Sequence, residues 1–143
     1  MALVACLNIG VDPPDSLTHH TRCRLQCWVD PASRNENKAL AAIGRNLERQ
    51  YKRWHPRAKY MTVLDPTVRD MSQLLLSLRH EAGKERILFH YNGHGVPMPT
   101  EDGLIYVFNP SYTEYHTIPT KTIAAWLGAP AIYVLDCGRA GLI

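Results

Sequence analysis

Two residues able to do thiol chemistry stand behind strand-like segments: His94, flanked by Gly93 and Gly95, and Cys137, 43 residues downstream in Asp136-Cys137-Gly138. Together they have the layout of a cysteine-histidine dyad. The imidazole would take the thiol proton, because the thiolate attacks a carbonyl efficiently and the thiol does not. Glycines on either side of His94 would let a substrate backbone approach. The same residues have plainer roles: His94 as a turn residue bonded to backbone, Cys137 as a buried strand-end thiol, Asp136 as an acceptor for amides of the following turn. Taken jointly, these plainer roles are the favoured reading.

A second group, His19, His20, Cys23 and Cys27, contains zinc-ligand types. Its spacing matches no standard finger or ribbon. Cys23, Leu25 and Cys27 fall on one face of an alternating segment, which favours core packing, since free cysteine is among the most buried residue types. No metal and no cofactor are expected. The four cysteines, Cys6, Cys23, Cys27 and Cys137, are expected to be free thiols in a reducing compartment.

Strands and helices that would carry these groups alternate along the chain, which points to a sheet with parallel connections. Residues 2–9 form a near-continuous apolar run suited to a strand covered on both faces. Residues 21–29 read as extended, and Asp30-Pro31 as a turn. Ser33 and Glu36 have capping-box spacing at the start of a helix. Its apolar stripe is Leu40, Ile43, Leu47, Tyr51 and Trp54. Lys38, Arg45, Arg49, Lys52 and Arg53 lie mostly off that stripe, as a solvated face or, less simply, a contact for an acidic partner.

A strand over residues 59–64 follows. Asp65 is the expected N-cap and Pro66 the first residue of a second helix, with Val68, Met71, Leu74, Leu75 and Leu78 inward and Gly83 as C-cap. Residues 86–91 form a core strand running into a loop at 92–95. A short strand at 104–108, a helix at 120–127 closed by Gly128, and a strand at 131–135 complete the pattern. The loops at 92–95 and 136–141 should meet at the carboxyl ends of adjacent parallel strands, where open α/β sheets hold their sites.

Composition is that of a globular domain: 45% hydrophobic, 20% charged, net charge +3. That charge is too small to argue for nucleic acid. No apolar run approaches the roughly 20 residues of a membrane span. Leu3-Val4-Ala5-Cys6 looks like a lipoprotein box but lacks a preceding positive charge and an apolar stretch, so a buried strand and a cytosolic chain are expected.

His90-Tyr91-Asn92-Gly93-His94-Gly95 resembles the His-Tyr-Ser-Gly-His-Gly motif of metacaspases, and residues 136–141 resemble their Asp-Ser-Cys-His-Ser-Gly. In that family the second histidine is the base and the cysteine is third in its motif. Here Gly138 occupies the third position and Cys137 the second, while Arg139 replaces the following histidine. The histidine-to-cysteine separation is comparable to the roughly 50 residues of caspases, whose cysteine motif is nevertheless not matched.

A closer resemblance, across nearly the whole chain, is to the raptor family. It rests on Leu7-Asn8-Ile9-Gly10-Val11-Asp12-Pro13-Pro14-Asp15, Leu64-Asp65-Pro66-Thr67-Val68, Phe89-His90-Tyr91-Asn92-Gly93-His94-Gly95-Val96-Pro97, Val107-Phe108-Asn109, Trp126-Leu127-Gly128, Asp136-Cys137 and Ala140-Gly141-Leu142-Ile143. Gly138-Arg139 replaces the Ser-Asn general in that family.

The resemblance implies an α/β caspase-like fold, a mostly parallel sheet flanked by helices and truncated after the strand that precedes the nucleophile position. Residues 1–143 would be a partial amino-terminal domain without its later strands or the helical-repeat and propeller regions. It implies a non-catalytic scaffold of TOR complex 1 that presents substrates to the TOR kinase, a pseudoenzyme with His94 and Cys137 as degenerate dyad candidates. Partners would be the TOR kinase and its substrates, without nucleic acid or direct membrane insertion. Localisation would be cytoplasmic, with recruitment to lysosomal or vacuolar membranes. The alternative is a metacaspase-like cysteine peptidase using His94 and Cys137. As a fragment with an unpaired sheet edge, the isolated chain is expected to be poorly soluble. A sharp cooperative melt of the isolated piece would contradict that.

Overall fold

The computed structural model describes residues 1–6, 36–95, 103–111, 115–138 and 140. The expected extended segment at 21–29, the turn at Asp30-Pro31, Ser33 of the capping box, and His19, His20, Cys23, Cys27 and Arg139 lie outside the described residues.

Strand β1 (Ala2–Cys6) is the centre of the fold, with all five residues buried. Helix α1 (Glu36–Trp54) leads to β2 (Tyr60–Leu64), and α2 (Val68–Ala82) leads to β3 (Ile87–Gly95). A hairpin of β4 (Leu104–Phe108) and β5 (Tyr115–Pro119) precedes α3 (Thr120–Leu127) and β6 (Ala131–Gly138). The main sheet has the order β2-β1-β3-β6, with every pair parallel.

Successive side chains of a strand point to opposite faces, and this alternation divides the core in two. Leu3, Ala5, Phe89 and Tyr91 face a large cluster with Met71, Leu75 and Leu78 of α2 and Ile123 and Leu127 of α3. Val4 and Cys6 face Leu40 and Ile43 of α1. The run at residues 2–6 is apolar on both faces because helices cover both. Gly44 lets α1 approach closely: a Cβ there would lie 3.0 Å from Leu64 Cδ2 and Thr62 Cγ2.

Several expectations are corrected. Trp54 is 77% exposed, although it continues the stripe of Leu47 and Tyr51. Tyr51 stacks on Tyr60, the first residue of β2, at 6.4 Å, so the final turn of α1 runs past the start of that strand. The N-cap of α2 is Thr67, not Asp65. The Thr67 hydroxyl accepts from the Asp70 amide at 3.2 Å, and Asp70 Oδ2 accepts from the Thr67 amide at 3.0 Å. The start is displaced because the Pro66 carbonyl accepts from the Phe108 amide at 2.9 Å, tying the preceding residue to β4. Residues 92–95 and 136–138, expected as loop, are strand, because β3 and β6 continue to pair with each other. Strand β5 has no counterpart in the sequence reading.

Arg79 pins the ends of four elements. Its Nε donates to the Leu127 carbonyl at 2.5 Å, and Nη1 to those of Gly83 and Glu85, each at 3.0 Å. Nη2 reaches the carbonyls of Gly128 at 3.4 Å and Pro130 at 3.0 Å. All five N–H groups of a guanidinium are thereby used. The accepting carbonyls lie just beyond α2 and at the end of α3, before β3 and β6 begin. Lysine has three donors and no planar fork. Arg79→Ala should lower stability to urea by about 2–4 kcal/mol, and Arg79→Lys should recover less than half of that.

Candidate functional site

The sequence-derived candidates sit where β3 and β6 end side by side. Asn92 pairs with Asp136, Gly93 with Cys137 and Gly95 with Gly138, and the register shifts by one residue at His94. The parallel ladder thus brings the two motifs together, as expected. The bulge places an extra residue, His94, against a ladder otherwise in step. The His94 backbone belongs to β3, and its imidazole lies outside the described side chains.

Alternation decides what each neighbour can do. Cys137 is half-buried and packs, with Leu135, against the cluster of α2 and α3. Asp136, one residue earlier, faces the side covered by α1. There its Oδ2 accepts from Asn92 Nδ2 at 2.6 Å. Residue 136 is in a strand, and the expected acceptor role of Asp136 toward amides of the following turn falls on residues largely outside the described ones. Position 138, the last of β6, is glycine.

The electrostatics oppose thiolate formation. Burial raises the Cys137 thiol above its ordinary range, and the Asp136 carboxylate raises it further. Cys6, beside Asn92 in the ladder, is pushed up to about 12 by burial, with Asp65 and Asp136 adding to the effect. Reactive cysteines sit in electropositive surroundings. Here the charge acting on both thiols is a carboxylate.

His90, in the same motif as His94, is a group that the sequence reading missed. It is 5% exposed, and its Nδ1 lies 2.7 Å from the Tyr51 hydroxyl of α1. The two rings meet edge to face at 5.6 Å. Nε2 is buried and has no hydrogen-bond partner among the described residues. Burial holds the His90 pKa below 6.5, while Asp136 works in the opposite direction. The available signal was Tyr51, a polar-tipped ring on an apolar stripe, which needs a partner when it meets the sheet.

Gly93 is required for a reason local to the motif. A Cβ there would lie 2.6 Å from Tyr91 Oη and 2.7 Å from Tyr91 Cζ. The Tyr91 ring is wholly buried and its hydroxyl donates to the Tyr106 carbonyl at 3.1 Å. The space that glycine leaves is therefore occupied by a structural tyrosine.

Among the described residues no group of three or more His, Cys, Asp or Glu could hold a metal ion. No described helix is long and apolar enough to cross a membrane.

Two measurements test this geometry. Gly93→Ala should cost about 1–3 kcal/mol in urea unfolding by displacing Tyr91, with a smaller loss when combined with Tyr91→Phe. For His90, the folded state disfavours the proton relative to the unfolded chain, so its contribution is present above about pH 6.5 and is lost as pH falls through the lower folded pKa. Stability measured between pH 7 and pH 5 should fall, and His90→Gln should flatten that slope.

Comparison with known proteins gives a consistent picture. The family described as the Raptor N-terminal CASPase like domain matches residues 1–143. Regulatory-associated protein of TOR 1 of Arabidopsis thaliana is 52% identical over 143 residues, covering 100% of this chain and 11% of that protein. Target of rapamycin complex 1 subunit mip1 of Schizosaccharomyces pombe is 51% identical over 142 residues, 99% of this chain and 11% of that protein. The crystal structure of Chaetomium thermophilum Raptor superposes with a TM-score of 0.81 at 44% identity, covering 99% of this chain and 13% of that one. The chain thus spans only about a tenth of the length of the curated relatives it matches.

Proposed function

The chain belongs to the raptor family through its amino-terminal caspase-like domain, and we propose that it contributes a non-catalytic scaffold to TOR complex 1. Relatives matched over essentially all of this chain are named as TOR-associated or TOR complex 1 subunits. The scaffold would present substrates to the TOR kinase and act in the cytoplasm, with recruitment to lysosomal or vacuolar membranes as part of the complex.

The observation carrying the non-catalytic part is the placement of Cys137. Its thiol packs on the face opposite Asp136, in surroundings that favour the neutral form. Position 138, third in the metacaspase-like motif, is glycine and has no side chain to attack with. A general base must lie within hydrogen-bond reach of the group it deprotonates, and the burial and the carboxylate beside Cys137 oppose the thiolate such a base would have to form. The peptidase alternative rests on the pairing of Gly93 with Cys137, which puts that cysteine one ladder step from His94.

Both parts are testable on the intact protein that contains this chain. Affinity purification should recover the TOR kinase, and repeated recovery without it would defeat the scaffold reading. An acyloxymethyl ketone peptide probe should leave Cys137 unlabelled at pH 7, with identical results for His94→Ala. Labelling of Cys137 that depends on His94 would establish the peptidase instead.

A further inference from the structure

Among the described residues, a basic surface with an exposed tryptophan lies at the other end of the sheet from the paired motifs. Helix α1 ends at the amino-terminal side of β2, and the segment spanning its last turns and the following turn reads Arg49-Gln50-Tyr51-Lys52-Arg53-Trp54-His55-Pro56-Arg57-Ala58-Lys59. These eleven residues contain five lysines and arginines and no carboxylate. Lys52 is paired with Glu48 at 2.5 Å and Lys59 with Glu81. Arg49, Arg53 and Arg57 are exposed and have no hydrogen-bond or ion-pair partner among the described residues. Arg49 and Arg53 are neighbours on the helix surface, four residues apart.

Trp54 stands among these cations with 77% of its surface open. The backbone beneath it is held in place. The His55 amide bonds to the Tyr51 carbonyl at 2.9 Å, the Ala58 amide to the His55 carbonyl at 3.1 Å, and the Tyr60 hydroxyl to that same carbonyl at 2.9 Å. The negative end of a helix dipole accounts for Lys52 and Arg53 in the last turn. It does not account for Arg57 beyond the helix, nor for an indole left in water.

We propose that this patch, centred on Trp54 and ringed by Arg49, Arg53 and Arg57, is a docking site for an acidic segment of a partner protein. Tryptophan and arginine are the residue types most enriched where interfaces concentrate their energy. Guanidinium groups favour carboxylates, which they bind in paired, parallel hydrogen bonds. A membrane is a poorer match, because an interfacial helix needs a broad apolar face and this surface offers one large apolar residue. A nucleic acid strand is a poorer match as well, since it is tracked by successive open aromatic platforms, and among the described residues of this patch Trp54 is exposed while Tyr51 and Tyr60 are half-buried.

The test uses the intact protein and a short fluorescein-labelled peptide of Glu and Asp with one central Leu, followed by fluorescence anisotropy. Saturable binding is expected, weakening about tenfold for Trp54→Ala at unchanged charge and more for the triple variant R49E/R53E/R57E. Trp54→Phe should bind within about threefold of the parent protein, since it keeps a ring at that position. Equal affinity of Trp54→Ala and parent would overturn the proposal, showing only a diffuse positive field. So would failure to saturate, tighter Trp54-dependent binding to phosphatidylserine vesicles, or displacement by oligo-dT at lower concentration than by unlabelled peptide.

Discussion

The pairing of β3 with β6 is the constraint on which the rest of the structure depends. It is pinned at its start by Arg79, whose guanidinium gathers the carbonyls before both strands, and is tied at its far end by Asn92 to Asp136 at 2.6 Å. Between these points the ladder advances residue against residue, from Ile87 with Ala131 to Gly93 with Cys137. A slip of one residue would turn each side chain of one strand to the other face. The hydrophobic pattern forbids that: Phe89 and Tyr91 must meet α2 and α3, while His90 must meet Tyr51 of α1. Position and orientation at the strand ends follow from this register, including the direction taken by the Cys137 thiol.

The same constraint gives several residues of the catalytic-looking motif structural work. The ladder brings the backbone of His94 within one step of Cys137. Cys137 becomes a member of the core, and its neighbouring carboxylate deepens its preference for the neutral form. Asn92 and Gly93 likewise serve the fold. One joins the two strands through a side-chain bond, and the other makes room for the Tyr91 ring. What persists is an ordered junction of two strand ends, suited to holding a surface in shape.

Much of this was legible in the residues. Apolar patterning located β1, β2, β4, the three described helices and the cores of β3 and β6, because burial on one face or both writes itself into hydrophobic period. The raptor-like segments identified the family before any coordinates. The departures have local causes. Thr67 caps α2 in place of Asp65 because Pro66 is held by β4, a contact 42 residues away in the chain. Trp54 continues a helical stripe but finds no strand beneath it, since hydrophobic period records the face of a helix and says nothing of where its partner ends. Strand β5, with alternation in Tyr-His-Thr-Ile-Pro interrupted by polar residues, needed its pairing with β4 to be seen.

By itself, the sequence determined the layered α/β plan, the meeting of the two motifs at the ends of parallel strands, and the absence of a side chain at position 138. These are matters of residue type and periodicity, which local chemistry settles. Only tertiary structure decided which face each strand-end group occupies, that Asp136 bonds to Asn92, that His90 answers Tyr51, and that Arg79 gathers five carbonyls from separate elements. Those outcomes depend on register and on how far one element extends over another, and such quantities exist only once distant parts of the chain have come together.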